Sequence, residues 1–132
     1  MDVDKFKIVN DTYGHSVGDR VLIQVAETLR KHFREEDAVC RIGGDEFAVF
    51  AWQAGAERKA QIKESVDRVN EELLHPGDGL PAVSISVGCA FGNENPAGTP
   101  LEKNADRALY RVKENGRCGC AFYTPETDAE PH

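Results

Sequence analysis

The segment Arg41-Ile42-Gly43-Gly44-Asp45-Glu46-Phe47 decides the fold of this chain of 132 residues, because it joins two apolar runs through a turn. Residues 38–42 and 47–52 are rich in β-branched and aromatic side chains, which is typical of strands. The glycines between them supply the positive φ that a tight hairpin turn needs. The pattern predicts two antiparallel strands with an exposed acidic tip at Asp45 and Glu46.

Three further segments have the apolar spacing of amphipathic helices. They are residues 20–33, residues 56–74 and a helix that begins near residue 100 and ends near residue 115. Thr99-Pro100-Leu101-Glu102 predicts a capping box with proline at the first helical position, and Gly116 predicts the end of that helix. Residues 81–91 and 118–123 predict two more strands. Helices interleaved with strands and a hairpin indicate an α/β fold of the α+β sandwich type, with a central mixed antiparallel sheet flanked by helices.

The charge and the cysteine content exclude several classes of function. A net charge of −7 leaves no basic face for nucleic acid or for an anionic membrane surface. No apolar run is long enough to span a bilayer, so any membrane attachment would belong to a longer parent protein. The cysteines have no CxxC pair and no zinc-type spacing, so we expect free thiols in a reducing cytoplasm.

Several separated motifs follow one another along the chain. Met1-Asp2-Val3-Asp4-Lys5-Phe6-Lys7 is followed by Asn10-Asp11-Thr12-Tyr13-Gly14-His15, then by Gly18-Asp19, and then by the hairpin segment. In this order they resemble the GGDEF domain of diguanylate cyclases over nearly the whole chain. The resemblance implies a fold like that of nucleotidyl cyclases and polymerase palms, and an enzyme that condenses two GTP molecules into cyclic di-GMP with release of pyrophosphate. It also implies a homodimer in which each domain holds one GTP.

The resemblance implies a metal site made of oxygen ligands. Asp2, Asp45 and Glu46 would be its catalytic acids, and the carbonyl of Val3 a further ligand. Carboxylates that point at one spot repel each other unless a divalent cation lies between them, and oxygen ligands suit Mg²⁺ or Mn²⁺, here two ions per active half-site. The structural alternative is that Asp45 and Glu46 are only turn residues. Asp4 is left as a supporting or surface acid.

Guanine recognition is implied for Asn10 and Asp19. An aspartate accepts hydrogen bonds from the N1–H and N2–H donors that guanine presents and adenine does not, so this pair favours GTP over ATP. The structural alternative is that Asp19 is the N-cap of the first long helix and that Asn10 is a turn residue.

Phosphate contacts are implied for main-chain groups and for two cations. The main-chain groups belong to Phe6, Lys7, Gly43 and Gly44. The segment from Ala105 to Arg117 resembles the family pattern that supplies the cations, which map onto Lys113 and Arg117. The pattern departs at Val112, where the family has alanine, and at Cys118, where it has asparagine. Outside the family, such cations are more often solvated surface charges.

Residues 34–37 match the RxxD inhibitory motif of the family. Arg34 would stack on guanine and Asp37 would accept from its edge, so the resemblance implies inhibition by the product cyclic di-GMP. A solvated helix end is the alternative. Arg58 and Arg68 are both candidates for the second arginine of this site, and the sequence does not choose between them.

We expect residues 1–123 to form a GGDEF domain without the usual N-terminal helix and the start of the first strand, and residues 124–132 to form a disordered acidic tail. Weak or absent activity is the corresponding expectation for this fragment alone. The alternative function is a GGDEF module that binds GTP or cyclic di-GMP as a regulatory domain without catalysis. A plain α/β scaffold is a third class, which predicts no binding of either nucleotide.

Overall fold

The computed structural model describes residues 1–34, 38–50, 56–77, 79–91 and 100–123. A sheet of five strands has the order β2-β3-β1-β4-β5. The strands are β1 Asp2–Val3, β2 Ala38–Gly43, β3 Glu46–Phe50, β4 Ile85–Cys89 and β5 Gly119–Phe122. The helices are α1 Phe6–Tyr13, α2 His15–His32, α3 Lys59–Leu74 and α4 Leu101–Glu114, and a 3₁₀ turn at Ala56–Arg58 precedes α3.

The sheet is mixed, as the sequence predicts. β2 and β3 form the expected hairpin, and the short central strand β1 pairs antiparallel with both β3 and β4. β5 runs parallel to β4, because the crossover between them passes through α4. The strand that begins with Asp2 therefore lies next to the hairpin that carries the signature acids.

The hairpin turn has the geometry that its glycines predict. Gly43 is paired with Glu46, and Gly44 has a φ of 51°. The ladder is irregular between Arg41 and Gly43, and the Arg41 guanidinium donates through Nε to the Gly44 carbonyl at 3.0 Å. The turn is thus tied down from within the hairpin.

Different helices cover the two faces of the sheet. Val3 and Ile85 are buried in the main core with Leu29 of α2 and Val66 of α3. Because side chains alternate along a strand, the neighbours of Val3 and Ile85 point to the opposite face, which α4 covers. There a Cβ on Gly88 of β4 would lie 2.1 Å from the carbonyl oxygen of Ala105, so only glycine allows α4 to approach this closely.

A buried amide fixes α3 to β4. Asn70 donates to the carbonyl of Ile85 at 3.2 Å and accepts from its N–H at 2.7 Å. Ile85 also pairs with Val3 of the central strand. Asn70, which the sequence analysis did not single out, therefore bonds the main-chain groups of Ile85, one residue before β4 begins to pair with β5.

The structure corrects several boundaries. The first long helix begins at His15, not residue 20, and α1 precedes it, which the sequence pattern missed because Ile8 of α1 is exposed. The predicted strand 81–91 is paired only over Ile85–Cys89, because the N–H of Val83 bonds to Leu73 of α3 and not to a strand. Pro100 is the N-cap of α4, not its first helical residue. Residues 51–52, Thr99 and the predicted tail lie outside the described residues.

The cysteines are free, as expected. Cys40 and Cys118 are exposed, whereas Cys89 and Cys120 lie on neighbouring strands and are partly covered. Burial raises the pKa of the Cys89 thiol to about 12. Cys89 therefore stays a protonated, unreactive side chain at neutral pH.

Candidate active site

The acids predicted to act together belong to β1 and to the adjoining end of the β2–β3 hairpin. Asp2 is directly opposite Glu46 in the antiparallel register. The N–H of Val3 donates to the carbonyl of Asp45 at 3.1 Å. Glu46 is exposed and Asp45 half-buried, so both carboxylates border solvent. The structure thus places the main chain of Asp45 against β1 and makes Glu46 the cross-strand partner of Asp2.

Lys113 of α4 completes this arrangement. Its ammonium donates to Oδ2 of Asp2, across the full length of the chain. Two carboxylates opposite each other on a sheet repel, and a cation beside one of them offsets that cost. We call Asp2, Asp45, Glu46 and Lys113 the acid–lysine cluster.

The donor set of this cluster fits a hard divalent cation. Within the ranges that the structure covers, no three His, Cys, Asp or Glu side chains converge as a ready-made metal site. Mg²⁺ does not need such a cage, because it usually binds one or two carboxylates and completes its shell with waters and substrate phosphates. The ammonium that lies on Asp2 also shows that this carboxylate accepts a cationic partner.

Asn10 and Asp19 lie on consecutive helices. Asn10 is half-buried in α1 and Asp19 is exposed in α2. A Cβ on Gly18 would be 1.9 Å from Oδ1 of Asn10, so the amide of Asn10 packs directly on the residue next to Asp19. The alternative interpretations are both wrong: Asp19 is inside α2, whose N-cap is Gly14, and Asn10 is helical.

The predicted phosphate-binding main chain lies in two places. Phe6 and Lys7 form the first turn of α1, where main-chain N–H groups have no acceptor within the helix. The side chain of Phe6 is buried, whereas that of Lys7 is exposed. Gly43 and Gly44 are at the hairpin turn, next to the acids.

Arg117 lies in an unusual turn after α4. Arg117 and Cys118 both have positive φ, of 65° and 55°, and Arg117 is exposed. The N–H of Cys118 donates to Oδ2 of Asp4 at 3.2 Å, and Asp4 also accepts from the hydroxyls of Ser84 and Ser86. Asp4 is therefore a supporting acid and not a surface one.

Ser84 and Ser86 were not singled out from the sequence. The sequence did carry a sign of them, because Ser84 and Ser86 alternate with the apolar residues Val83, Ile85 and Val87 in a predicted strand. Polar side chains on one face of a strand need partners if they are covered. Their partner, Asp4, is eighty residues away in the sequence, so the pairing was not visible from spacing.

The inhibitory motif is only partly described. Arg34 is half-buried just after α2, and Asp37 lies outside the described residues. Arg58 is buried before α3 and donates to Gln61, whereas Arg68 donates to Glu64 on the exposed side of α3. The RxxD site therefore stays a prediction.

A groove of about 550 Å³ lies elsewhere, between α2 and the segment that follows α3. Its lining includes Glu27, Lys31, Glu72 and Leu80, none of which belongs to the predicted site. The acid–lysine cluster instead lies where β1 pairs with β3 and where Lys113 of α4 contacts Asp2. Among the helices described, none has the length and apolar character needed to cross a bilayer.

A mixed sheet that presents acids from its central strand and the adjoining hairpin defines the nucleotidyl cyclase class of α/β domain. The family model described as "Diguanylate cyclase, GGDEF domain" matches residues 1–118. A probable diguanylate cyclase, DgcT of Escherichia coli K12, is 41% identical over 123 residues, which cover 89% of this chain but only 27% of DgcT. The chain belongs to the GGDEF domain family of diguanylate cyclases.

Solved structures agree with this assignment. The GGDEF domain of YfiN (TpbB) from Pseudomonas aeruginosa superposes with a TM-score of 0.80 at 32% identity, covering 92% of this chain and 78% of that one. The coiled coil and GGDEF domain of DgcB from Caulobacter crescentus, solved in complex with cyclic di-GMP, gives a TM-score of 0.73 at 29% identity, covering 92% and 65%. The predicted fold class is thereby confirmed.

Proposed function

We propose that this chain is the catalytic domain of a diguanylate cyclase, which condenses two GTP molecules into cyclic di-GMP and releases two pyrophosphates. The observation that carries the proposal is the register that places Asp2 of the central strand directly opposite Glu46 of the hairpin. Membership in the GGDEF family supports it. Because the chain matches only a quarter or so of DgcT, the activity of any longer protein is part of the proposal.

Each half of the reaction forms one phosphodiester bond. The 3′-hydroxyl oxygen of one GTP attacks the α-phosphorus of the other, and the bond from that phosphorus to the bridging oxygen of pyrophosphate breaks. Pyrophosphate leaves with the bonding electrons. Glu46 accepts the hydroxyl proton, because its carboxylate is exposed beside Asp2. A second identical step closes the ring.

The metal ligands in this proposal are Asp2, the Val3 carbonyl, Asp45 and Glu46, which hold two Mg²⁺ or Mn²⁺ ions per active half-site. When bound, these ions supply charge stabilisation for the attacking and leaving oxygens. Lys113 reaches Asp2 from α4, and its ammonium leaves that carboxylate to bind a phosphate of the substrate.

The remaining site residues bind the nucleotide. Asn10 and Asp19 read the guanine edge, and their placement on either side of the α1–α2 junction supports this role. The amides of Phe6 and Lys7 join the phosphate contacts, and so do Lys113 and Arg117. Gly43 and Gly44 let the main chain approach the nucleotide without a Cβ in the way.

Product inhibition through Arg34 and Asp37 belongs to the same proposal. Cyclic di-GMP would bind at this RxxD motif, away from the acid–lysine cluster, and lower turnover. The DgcB structure in complex with cyclic di-GMP makes that ligand a reasonable probe.

The test is GTP turnover with Mg²⁺, measured as pyrophosphate and cyclic di-GMP by chromatography. Asp2→Asn and Glu46→Gln keep the shape of each side chain and remove its charge, so we expect losses of at least about 100-fold in kcat. Asp67→Asn is the matched control, because Asp67 is an exposed acid on α3 whose carboxylate lies 3.5 Å from the Lys63 ammonium and which is not one of the predicted site residues. Measurable turnover that is equal in Asp2→Asn and the wild type would exclude the proposed role of the cluster.

A second candidate function is a regulatory module that binds GTP or cyclic di-GMP without catalysis. The contact between Lys113 and Asp2 favours it, because the ammonium occupies the carboxylate on which catalysis would depend. Calorimetry separates the two functions: the module binds nucleotide without releasing pyrophosphate at any Mg²⁺ or Mn²⁺ concentration, whereas the enzyme does both.

A further inference from the structure

We propose that Asp4 is a positioning residue, which holds the turn at Arg117 and Cys118 so that Arg117 faces the triphosphate of GTP. The inference rests on the proposed function, because that function assigns Arg117 to the substrate phosphates. Neither the composition nor the motif assigns Asp4 this task. The role is inferred from the hydrogen bonds that its two carboxylate oxygens accept.

Both oxygens of Asp4 are engaged by donors from distant segments. The hydroxyl of Ser84 donates to Oδ2 at 2.7 Å, and the hydroxyl of Ser86 donates to Oδ1 at 2.6 Å. The N–H of Cys118 divides its hydrogen bond between Oδ2 of Asp4 and Oγ of Ser86, each at 3.2 Å. One carboxylate thus joins β1, β4 and the turn after α4.

These contacts separate Asp4 from Asp2, which is two residues away. The carboxylate of Asp2 accepts from the Lys113 ammonium of α4, whereas that of Asp4 accepts from two serine hydroxyls and a main-chain amide. Hydrogen bonds to an ionised acceptor are stronger than neutral ones. Ser86 is fully buried, so this part of the network is shielded from water.

The turn that Asp4 holds is strained. Arg117 and Cys118 are consecutive residues with positive φ, and both carry a Cβ, which makes the left-handed region unfavourable. Asparagine tolerates this region better than cysteine does. The chain therefore needs an external contact at Cys118 to keep the turn, and Asp4 provides it through the Cys118 N–H.

The direction of Arg117 depends on this turn. Its N–H bonds to the carbonyl of Val112 at 3.0 Å, which caps the C-terminal end of α4, while the next residue is held by Asp4. Lys113 precedes the turn by one helical turn and contacts Asp2. Both proposed phosphate-binding cations therefore enter the site from one short segment that is anchored to β1 at two acids.

The experiment compares binding of GMP with binding of the α,β-methylene analogue of GTP, in which the bond to pyrophosphate cannot break. Calorimetry on the wild type should give tighter binding of the analogue than of GMP. In Asp4→Ala we expect this preference to fall about tenfold, because about one charge-assisted contact with the phosphates is lost. The affinity for GMP should change little. Asp4→Asn keeps the acceptor shape and should retain part of the preference.

A double-mutant cycle with Arg117→Ala shows whether Asp4 acts through Arg117. We expect Asp4→Ala to cause no further loss of analogue binding once Arg117 is removed. Full additivity of the two losses, or an equal loss for GMP and the analogue in Asp4→Ala, would show a merely structural role and overturn the proposal. If Asp4→Ala does not fold, Ser84→Ala removes one donor from the network and serves in its place.

Hydrogen exchange at the Cys118 amide tests the tether without any nucleotide. Asp4→Ala should exchange this proton at least about tenfold faster than the wild type, because a protected amide then opens locally. Adding Cys118→Gly to Asp4→Ala removes the strain at this position and should restore part of the analogue preference. If the wild type binds neither nucleotide, the proposed function fails, and unchanged exchange in Asp4→Ala would separately refute the tether.

Discussion

Gly88 is the residue where β4 and α4 come closest. A Cβ there would be 2.1 Å from the carbonyl of Ala105 and 2.4 Å from the N–H nitrogen of Leu109, both main-chain atoms of a packed helix. Neither can rotate away. The close approach brings Lys113 of α4 within reach of Asp2, so the size of one residue in a strand affects the active site.

We predict that Gly88→Ala lowers the free energy of unfolding by about 3 kcal/mol, because α4 must move off the sheet. Urea unfolding followed by circular dichroism measures it. Gly77→Ala is the matched control, since no atom lies within 4 Å of its Cβ position and its φ is not positive. A Gly88→Ala protein as stable as Gly77→Ala would contradict the packing described for α4.

Gly18 has the same kind of restriction, but against a side chain. A Cβ there would lie 1.9 Å from Oδ1 of Asn10 and 3.2 Å from Cζ of Phe6, and the amide of Asn10 can rotate away. We therefore expect Gly18→Ala to remain folded while Asn10 loses its position, with GMP affinity reduced about tenfold, the loss of one hydrogen bond to guanine. Calorimetry with GMP measures this, and Ser16→Ala, an exposed change in the same helix, is the control.

At the scale of elements, Glu72 joins α3 to α2. Its carboxylate accepts from Lys31 at 2.6 Å and contacts Nε2 of His32 at 2.7 Å, and both of these residues belong to α2. The hydrogen bond from Lys31, then that from His32, holds the pKa of Glu72 below its ordinary value of 4.5. These are the charged groups of α2 that face Glu72 at the edge of the groove.

A lowered pKa means that the folded chain binds this proton less readily than the unfolded chain does. The stabilising effect is therefore complete above the ordinary pKa and is lost as the pH falls through the lowered one. We expect the Tm of the wild type to exceed that of Glu72→Gln at about pH 6, and the difference to shrink as the pH falls below 4.5. Glu71→Gln, an exposed neighbour, should show no such dependence. A gap that persists in acid would assign the effect to packing.

The elements that the sequence predicted well are those with a strong local signal. The β2–β3 hairpin and α3 follow from glycines and from helical periodicity. α1 was missed because it has only eight residues, and two of its four apolar or aromatic side chains, Ile8 and Tyr13, are exposed. The strand around Ile85 was predicted too long, because only tertiary pairing decides which of its residues join the sheet.

The candidate site shows the same division. Asp2, Asp45 and Glu46 could be named from motifs, and the structure brings Asp2 and Glu46 into register. The partnership of Asp4 with Ser84, Ser86 and Cys118 could not be named, because hydrogen bonds between distant segments leave no mark on local spacing. The contact of Lys113 with Asp2 was not predicted either, because the family resemblance assigns this lysine to the phosphates of the substrate.

At the scale of the molecule, the proposed condensation of two GTP molecules would require two domains that face each other. Glu46 is exposed where β1 meets the end of the β2–β3 hairpin, so a second copy can approach the acids there. We predict that cyclic di-GMP formed per mole of protein rises with protein concentration. A fused dimeric coiled coil should raise the activity of a dilute sample, because it raises the effective concentration of the second domain. Activity that stays constant per mole in a sample shown to be monomeric by light scattering would exclude this requirement.

The contacts that build the site join the two ends of the chain. Asp2 reaches Lys113 over 111 positions, and Asp4 reaches Cys118 over 114. Closing loops of that length is entropically costly, so such contacts form late in folding. A ribosome-bound chain cannot assemble the site until its last strand has emerged. If the proposed function is right, the domain therefore binds nucleotide only once both of these long-range contacts have formed.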